Sequence, residues 1–198
     1  YTLWHTLSLH DALPICYHTG KPAYFLRIGG CDIGCSWCDT KFSWRPDLDH
    51  LVHVDKILKN ALQYPARAIV ITGGEPLIYN LNPLCDLLKI HGFKTFIETS
   101  GSHPMSGIWD WICLSPKKQN SPEDSIFKSA HELKVIIYEH SDFEWAEHCA
   151  KKVSPDCKLY LQPEWSRYKK NIKAIVEYIK INPTWDLSLQ IHKLIGIP

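Results

Sequence analysis

The chain of 198 residues carries 45% hydrophobic and 22% charged side chains, globular values, and is long enough to bury a substantial core as one domain. A net charge of +1 gives no electrostatic case for nucleic acid, and no apolar run approaches the length of a membrane span. Eight cysteines, three of them within eight residues, fit free thiols in a reducing compartment better than a disulfide framework, so the cytoplasm is the expected location.

The chain opens on Tyr1, and residues 1–15 show neither clean periodicity nor the charge layout of a signal peptide. Leu7-Ser8-Leu9-His10-Asp11-Ala12-Leu13-Pro14-Ile15 resembles a translated sequencing adaptor joined to an incomplete reading frame; the alternative is a divergent natural segment. The expectation is a foreign segment over 1–15 and one domain over 16–198.

Ala23 to Ile28 is the first β-rich run. Val54, Ile57, Leu58, Ala61 and Leu62 recur at helical spacing, and Pro65 closes that helix. Ala68 to Thr72 is a continuous apolar run that predicts a strand covered on both faces. Leu81, Leu84, Leu87 and Leu88 mark a second helix with Gly92 as its C-cap, and Thr95 to Glu98 a third strand. Trp109 to Leu114 reads as a fourth strand with no helix before it, and Lys118 to Ser125 as a loop. Leu133 to Ile137 is a fifth strand, Asp142 to Val153 a helix capped by Ser141, and Lys158 to Gln162 a sixth strand. Ile172, Ile175, Val176 and Ile179 stripe a last long helix, and Trp185 to Gln190 is a further candidate strand before the tail. Alternating strands and helices imply right-handed crossovers and a parallel sheet. A full eight-unit barrel needs about 250 residues. The expected fold is therefore an open, abbreviated α/β partial barrel of about six parallel strands with few helices.

Cys31, Cys35 and Cys38 follow the first strand directly, at spacings that let one loop wrap an inorganic centre. Three thiolates on a four-iron cluster leave one iron open for chemistry, whereas zinc would need a fourth, distant ligand. Each unusual polar segment lies just past an apolar strand: this loop, Gly73-Gly74-Glu75-Pro76, Glu98-Thr99-Ser100-Gly101, Ser115-Pro116-Lys117 and Gln162-Pro163-Glu164-Trp165. In parallel α/β folds the strands' C-terminal ends share one face, so these segments should meet at one mouth. Adjacent glycines there let a ligand touch the main chain, although a tight turn would use them equally well. Arg27 is a charge on an otherwise apolar strand, costly to bury without an anion; a substrate carboxylate or a structural salt bridge would serve.

The Cys-x3-Cys-x2-Cys pattern resembles the radical S-adenosylmethionine (SAM) enzymes. With Phe25-Leu26-Arg27-Ile28-Gly29-Gly30 before it, Ser36-Trp37-Cys38-Asp39-Thr40 within it and Thr72-Gly73-Gly74-Glu75-Pro76 after it, the chain is more narrowly similar to the 7-carboxy-7-deazaguanine synthases. The resemblance runs from about Tyr17 to Pro198. It implies a lyase of queuosine biosynthesis that converts 6-carboxy-5,6,7,8-tetrahydropterin to 7-carboxy-7-deazaguanine with loss of ammonia. It further implies a [4Fe-4S] cluster on Cys31, Cys35 and Cys38, and SAM against Trp37, Cys38, Asp39, Gly74, Ser115, Pro116, Lys117 and Gln162 through Trp165 (Gln162, Pro163, Glu164 and Trp165). Mg²⁺ would sit on Thr40, and substrate on Arg27, Thr72, His192 and the terminal Pro198. No protein acid or base is implied, the hard chemistry being the cofactors'. A homodimer and an electron donor such as flavodoxin are the implied partners. These families carry Gln-Gly-Glu-Gly where this chain reads Leu13-Pro14-Ile15-Cys16, a departure at two expected substrate ligands. The rival readings are a glycyl-radical enzyme activase, which shares the cysteine motif, and a zinc-stabilised binding module without catalysis.

Overall fold

A computed structural model describes residues 3–12, 16–45 and 51–196. In chain order the elements are strand β1 (Leu3–Ala12), β2 (Ala23–Ile28), β3 (Leu51–His53), helix α1 (Val54–Ala61), β4 (Ala68–Gly73), α2 (Asn82–Ile90), β5 (Lys94–Thr99) and β6 (Trp111–Leu114). There follow α3 (Asp124–Ser129), β7 (Glu132–Ile137), α4 (Ser141–Ala150), β8 (Lys158–Pro163), α5 (Tyr168–Ile181), β9 (Trp185–Leu187) and α6 (Ile191–Ile195).

The strands form one sheet in the order β3-β1-β2-β4-β5-β6-β7-β8-β9. From β2 to β9 every pairing is parallel, giving seven parallel strands, while β1 and β3 pair antiparallel at one side. The two edge strands do not meet, so the barrel stays open. β1 pairs with β2 from Thr6↔Ile28 to Ala12↔Ala23, a strand that the reading of 1–15 did not assign.

Strand alternation sorts the side chains onto two faces. Leu26, Ile28, Ile69, Ile71, Ile97, Leu114, Leu133, Val135 and Leu161 join the core, packing against Ile57 of α1, Leu84 and Leu88 of α2, Phe127 of α3, Ala146 of α4 and Ile175 of α5. The intervening positions Arg27, Thr72, Glu98, Lys134 and Gln162 turn to the other face and line one cavity. Cys85 and Cys149 are small buried hydrophobes on the core faces of their helices, and all eight cysteines are free thiols.

Three local expectations are corrected. The stretch read as a loop up to Ser125 gives way to α3 at Asp124, one short helix that buries Ile126 and Phe127. α4 stops at Ala150, and Ser141 is its first residue, not its cap. The residue that fixes its entry is Asp142, whose Oδ2 accepts from the N–H groups of Tyr138 and Glu139, each at 2.8 Å. β9 ends at Leu187, after which the chain turns so that Gln190 reaches the cysteine loop. The absence of a helix between β5 and β6 holds: that crossover is a loop, pinned where Thr95 Oγ1 donates to Ile108 O at 2.6 Å and Thr95 N to Asp110 Oδ2 at 2.7 Å.

Candidate functional site

The cysteine loop leaves β2 and returns on itself. Gly30 N donates to Ser43 O at 2.7 Å and Cys31 N to Trp44 O at 3.1 Å, while Cys38 N donates to Cys35 O at 3.0 Å. Thr40 is turned back on the loop, its N–H 3.4 Å from Cys38 Sγ and its hydroxyl 3.5 Å from the same sulfur. All three thiols line a cavity of about 280 Å³ at the C-terminal ends of the strands. Burial pushes the Cys31 and Cys35 thiols up from their ordinary range, and the Lys117 ammonium pulls Cys35 partly back. A cationic iron centre held by these thiols would supply the positive charge that buried thiolates need.

The Gly-Gly-Glu-Pro loop leaves β4 and lies directly against this one. Gly74 N donates to Ile28 O at 2.9 Å and Glu75 N to Gly30 O at 2.8 Å. The approach is so close that a Cβ on Gly74 would stand 2.0 Å from Gly30 O and 2.9 Å from Cys31 Cβ. Gly73 adopts φ +135°, a conformation that favours glycine. Glu75, 2% exposed, does not offer its carboxylate to the cavity as a free anion. It accepts from Leu77 N at 3.0 Å, Thr99 Oγ1 at 2.5 Å, and Ser100 N and Oγ at 2.7 and 2.5 Å. The motif's acid is thus a strut between the end of β4 and the end of β5.

The residues singled out from the sequence divide by position. Arg27, Cys31, Cys35, Trp37, Cys38, Asp39, Thr40, Thr72, Gly74, Ser115, Lys117, Gln162 and His192 line the cavity together. Pro116, Pro163, Glu164 and Trp165 do not. Glu164 spends its carboxylate capping a short turn, accepting from Ser166 N at 2.9 Å and Arg167 N at 3.2 Å, and Trp165 is exposed with Lys193 Nζ 5.1 Å from its ring. Pro198 lies outside the described residues, as do Leu13, Pro14 and Ile15. Among the described residues the salt bridges do not include Arg27.

Two of the cavity's cations, Lys134 and Lys193, are in ion pairs. Lys117 Nζ donates to Ser115 Oγ at 2.9 Å and stands 5.9 Å from the Trp37 ring; burial lowers its affinity for a proton. Asp39 accepts from Gln190 Nε2 at 3.1 Å and from Lys193 Nζ, so the tail is tied to the cysteine loop. Burial alone would raise the Asp39 carboxyl, but Lys193 and Gln190 outweigh it and hold it below the usual range. His192 is lowered by burial and then by Lys193. Lys134, Gln190 and Lys193 escaped the sequence reading. Lys134 carried a usable signal, since Glu132 and Lys134 stand two apart in an otherwise apolar strand, which sets both on one face.

The short turn Cys16–His18 packs against the first residues of β6 and β7 and against Phe96 of β5. Tyr17 stacks on Trp111 at 4.4 Å and His18 on Phe96 at 4.5 Å, while Tyr17 N donates to Glu132 Oε2 at 3.3 Å. Cys16 takes φ 60°, and its Sγ lies 2.9 Å from Ser188 Oγ, which donates to Gln162 Oε1 at 3.0 Å.

An open parallel half-barrel with three cysteines and a glycine loop at its mouth defines the radical SAM class. The radical SAM superfamily profile matches residues 26–116. A 7-carboxy-7-deazaguanine synthase of Flavobacterium psychrophilum is 50% identical over 182 residues, 92% of this chain and 86% of the relative. The protein of that name from Escherichia coli K12 is 32% identical over 206 residues, 91% of this chain and 92% of the relative. The crystal structure of QueE from Escherichia coli superposes with a TM-score of 0.83 at 30% identity, covering 95% of this chain and 94% of that one. The chain belongs to the 7-carboxy-7-deazaguanine synthase family.

The residues present fit a four-iron cluster. The donor set is three soft thiols lining one cavity, one ligand fewer than a four-iron cube has irons, which leaves one iron open. Membership of this family does not favour the zinc-module reading.

Proposed function

We propose that this chain is a radical SAM lyase that converts 6-carboxy-5,6,7,8-tetrahydropterin to 7-carboxy-7-deazaguanine, releasing ammonia, in the route to queuosine. The observation that carries the reading is the convergence of Cys31, Cys35, Cys38, Gly74, Thr72 and Arg27 on one cavity in a chain of this family. Bound there, a [4Fe-4S] cluster and SAM supply the one-electron chemistry and the radical that starts the reaction.

The chain's own residues hold and orient. Cys31, Cys35 and Cys38 are the thiolates for the cluster. The backbone around Gly74, with Trp37, Cys38, Asp39, Ser115, Lys117 and Gln162, forms the wall for SAM. Arg27 meets the substrate carboxylate with a guanidinium that can bind it through two parallel hydrogen bonds. Thr72 and His192 flank the substrate. Thr40 offers a hard oxygen to Mg²⁺, which keeps several waters of its own. An electron donor such as flavodoxin, a homodimer and a cytoplasmic location complete the proposal; no helix of the described residues is long and apolar enough to cross a membrane.

The test is anaerobic reconstitution with iron and sulfide, then incubation with SAM, dithionite, Mg²⁺ and the carboxytetrahydropterin, with products read by mass spectrometry. Brown protein yielding both 5′-deoxyadenosine and 7-carboxy-7-deazaguanine is the expected result. 5′-Deoxyadenosine without deazaguanine, persisting after Gln-Gly-Glu-Gly replaces Leu13 to Cys16, sinks the substrate assignment. Colourless protein that holds only zinc sinks the whole reading.

A further inference from the structure

We propose that Lys134 is a positioning residue for substrate recognition: it holds the Glu98 carboxylate against the cavity wall, leaving one oxygen aimed at an N–H group of the pterin. The proposal rests on the reaction proposed above.

Register sets the geometry. Glu98 pairs with Cys113 across β5 and β6, and Cys113 with Glu132 across β6 and β7, so these three form a row on the inner face. Lys134 stands two residues farther along β7 on that same face and reaches back to Glu98, Nζ to Oε2 at 3.1 Å. The Lys134 side chain is 6% exposed and that of Glu98 24%, and both line the cavity. Burying an ammonium is costly unless it is paired and hydrogen-bonded, so a lysine at this depth needs a reason. The Glu98 pair supplies part of it, and Glu132, 3% exposed on the same face of β7, supplies the rest.

Burial alone would lower the Lys134 ammonium, but the acidic groups around it hold it well above the usual lysine range. Cys113 contributes most to this, followed by Glu98, Cys16 and Glu132. The pair with Glu98 at 3.1 Å is thus the geometry that holds the Lys134 ammonium in place. Its bond goes to Oε2, and among the described residues no hydrogen bond reaches Glu98 Oε1. An ionised carboxylate is an acceptor only. The ligand group that matches it is a donor, such as a ring or exocyclic N–H of a reduced pterin.

A merely structural pair would lower stability and leave recognition alone, so the test separates the two. Lys134→Met, Lys134→Arg, Glu98→Gln and the double variant are reconstituted, and Kd for the pterin is read by calorimetry beside Kd for SAM. K134M is expected to weaken pterin binding about tenfold or more, with KM moving more than kcat and SAM affinity unchanged. K134R should recover most of the loss. E98Q/K134M should be no worse than E98Q, because Lys134 acts through Glu98; this neutral pair also guards against a buried charge that prevents folding. Equal pterin affinity in K134M and the wild type overturns the proposal, as does a double variant weaker than E98Q by the full K134M effect. Wild-type protein that binds SAM and not the pterin overturns the functional reading and this one together.

Discussion

Glu75→Gln tests whether the acid of the Gly-Gly-Glu-Pro loop is a strut. The carboxylate receives four hydrogen bonds, two on each oxygen: Leu77 N and Thr99 Oγ1 on one, Ser100 N and Oγ on the other. Glutamine keeps the shape but has one acceptor oxygen. However it is turned, its NH₂ group faces a buried backbone N–H, of Leu77 or of Ser100. A hydroxyl can rotate to accept; a backbone donor cannot. One orphaned buried donor costs about 1–3 kcal/mol, and hydrogen bonds to a charged acceptor contribute about 1.5–3 kcal/mol each, so a net loss of about 2–4 kcal/mol is expected. At about 2–4 °C per kcal/mol for a chain of this size, the thermal midpoint should fall by roughly 5–15 °C. Circular dichroism melts, with a urea titration to check that the slope is unchanged, make the measurement. A midpoint within about 2 °C of the wild type would refute the reasoning.

Gly74→Ala should cost the protein most of its bound iron after reconstitution, because the added Cβ would stand 2.0 Å from Gly30 O and only backbone of the cysteine loop could yield. Iron content equal to the wild type would show that the loop moves freely. His18 is pulled below the ordinary histidine range by burial, then by Lys21 and Lys94. Between that lowered value and about 6.5 the unfolded chain binds the extra proton, so stability is full above this window and falls as pH drops through it. Urea midpoints from pH 7 to 5 should therefore decline more steeply in the wild type than in His18→Phe; parallel curves would remove His18 from the account. Thr40→Ala should raise the Mg²⁺ concentration needed for deazaguanine while 5′-deoxyadenosine still forms, and an unchanged Mg²⁺ titration would move the ion elsewhere.

The half-barrel was legible because its strands are apolar runs broken at their C-terminal ends by Cys, Gly, Ser and Pro. α3 was hidden by its shortness, six residues after a proline-containing loop. The cysteine triplet could be read from its spacing and the other candidate residues from the family resemblance, yet neither could say which way each one faces. Gln162 turns into the cavity while Glu164, two residues on, caps a turn, since β8 ends at Pro163 and the strand's alternation ends with it. Glu75 was read as part of a ligand loop, whereas only tertiary structure brings Thr99 and Ser100 to its oxygens. Lys134 and Lys193 make pairs distant in sequence, with Glu98 and Asp39, and no local pattern announces such partners.

The crossed bonds at Gly74, Glu75 and Ser100 sew three neighbouring strand ends, β2, β4 and β5, into one hoop. β9, four strands beyond β5 at one edge of the sheet, is three residues long and has one strand partner. Opening of this protein should therefore unzip from the β9 side, and deuterium should reach the amides of β9 long before those of the hoop. The rim facing the cysteines would then keep its shape through fluctuations that already expose the far side to solvent.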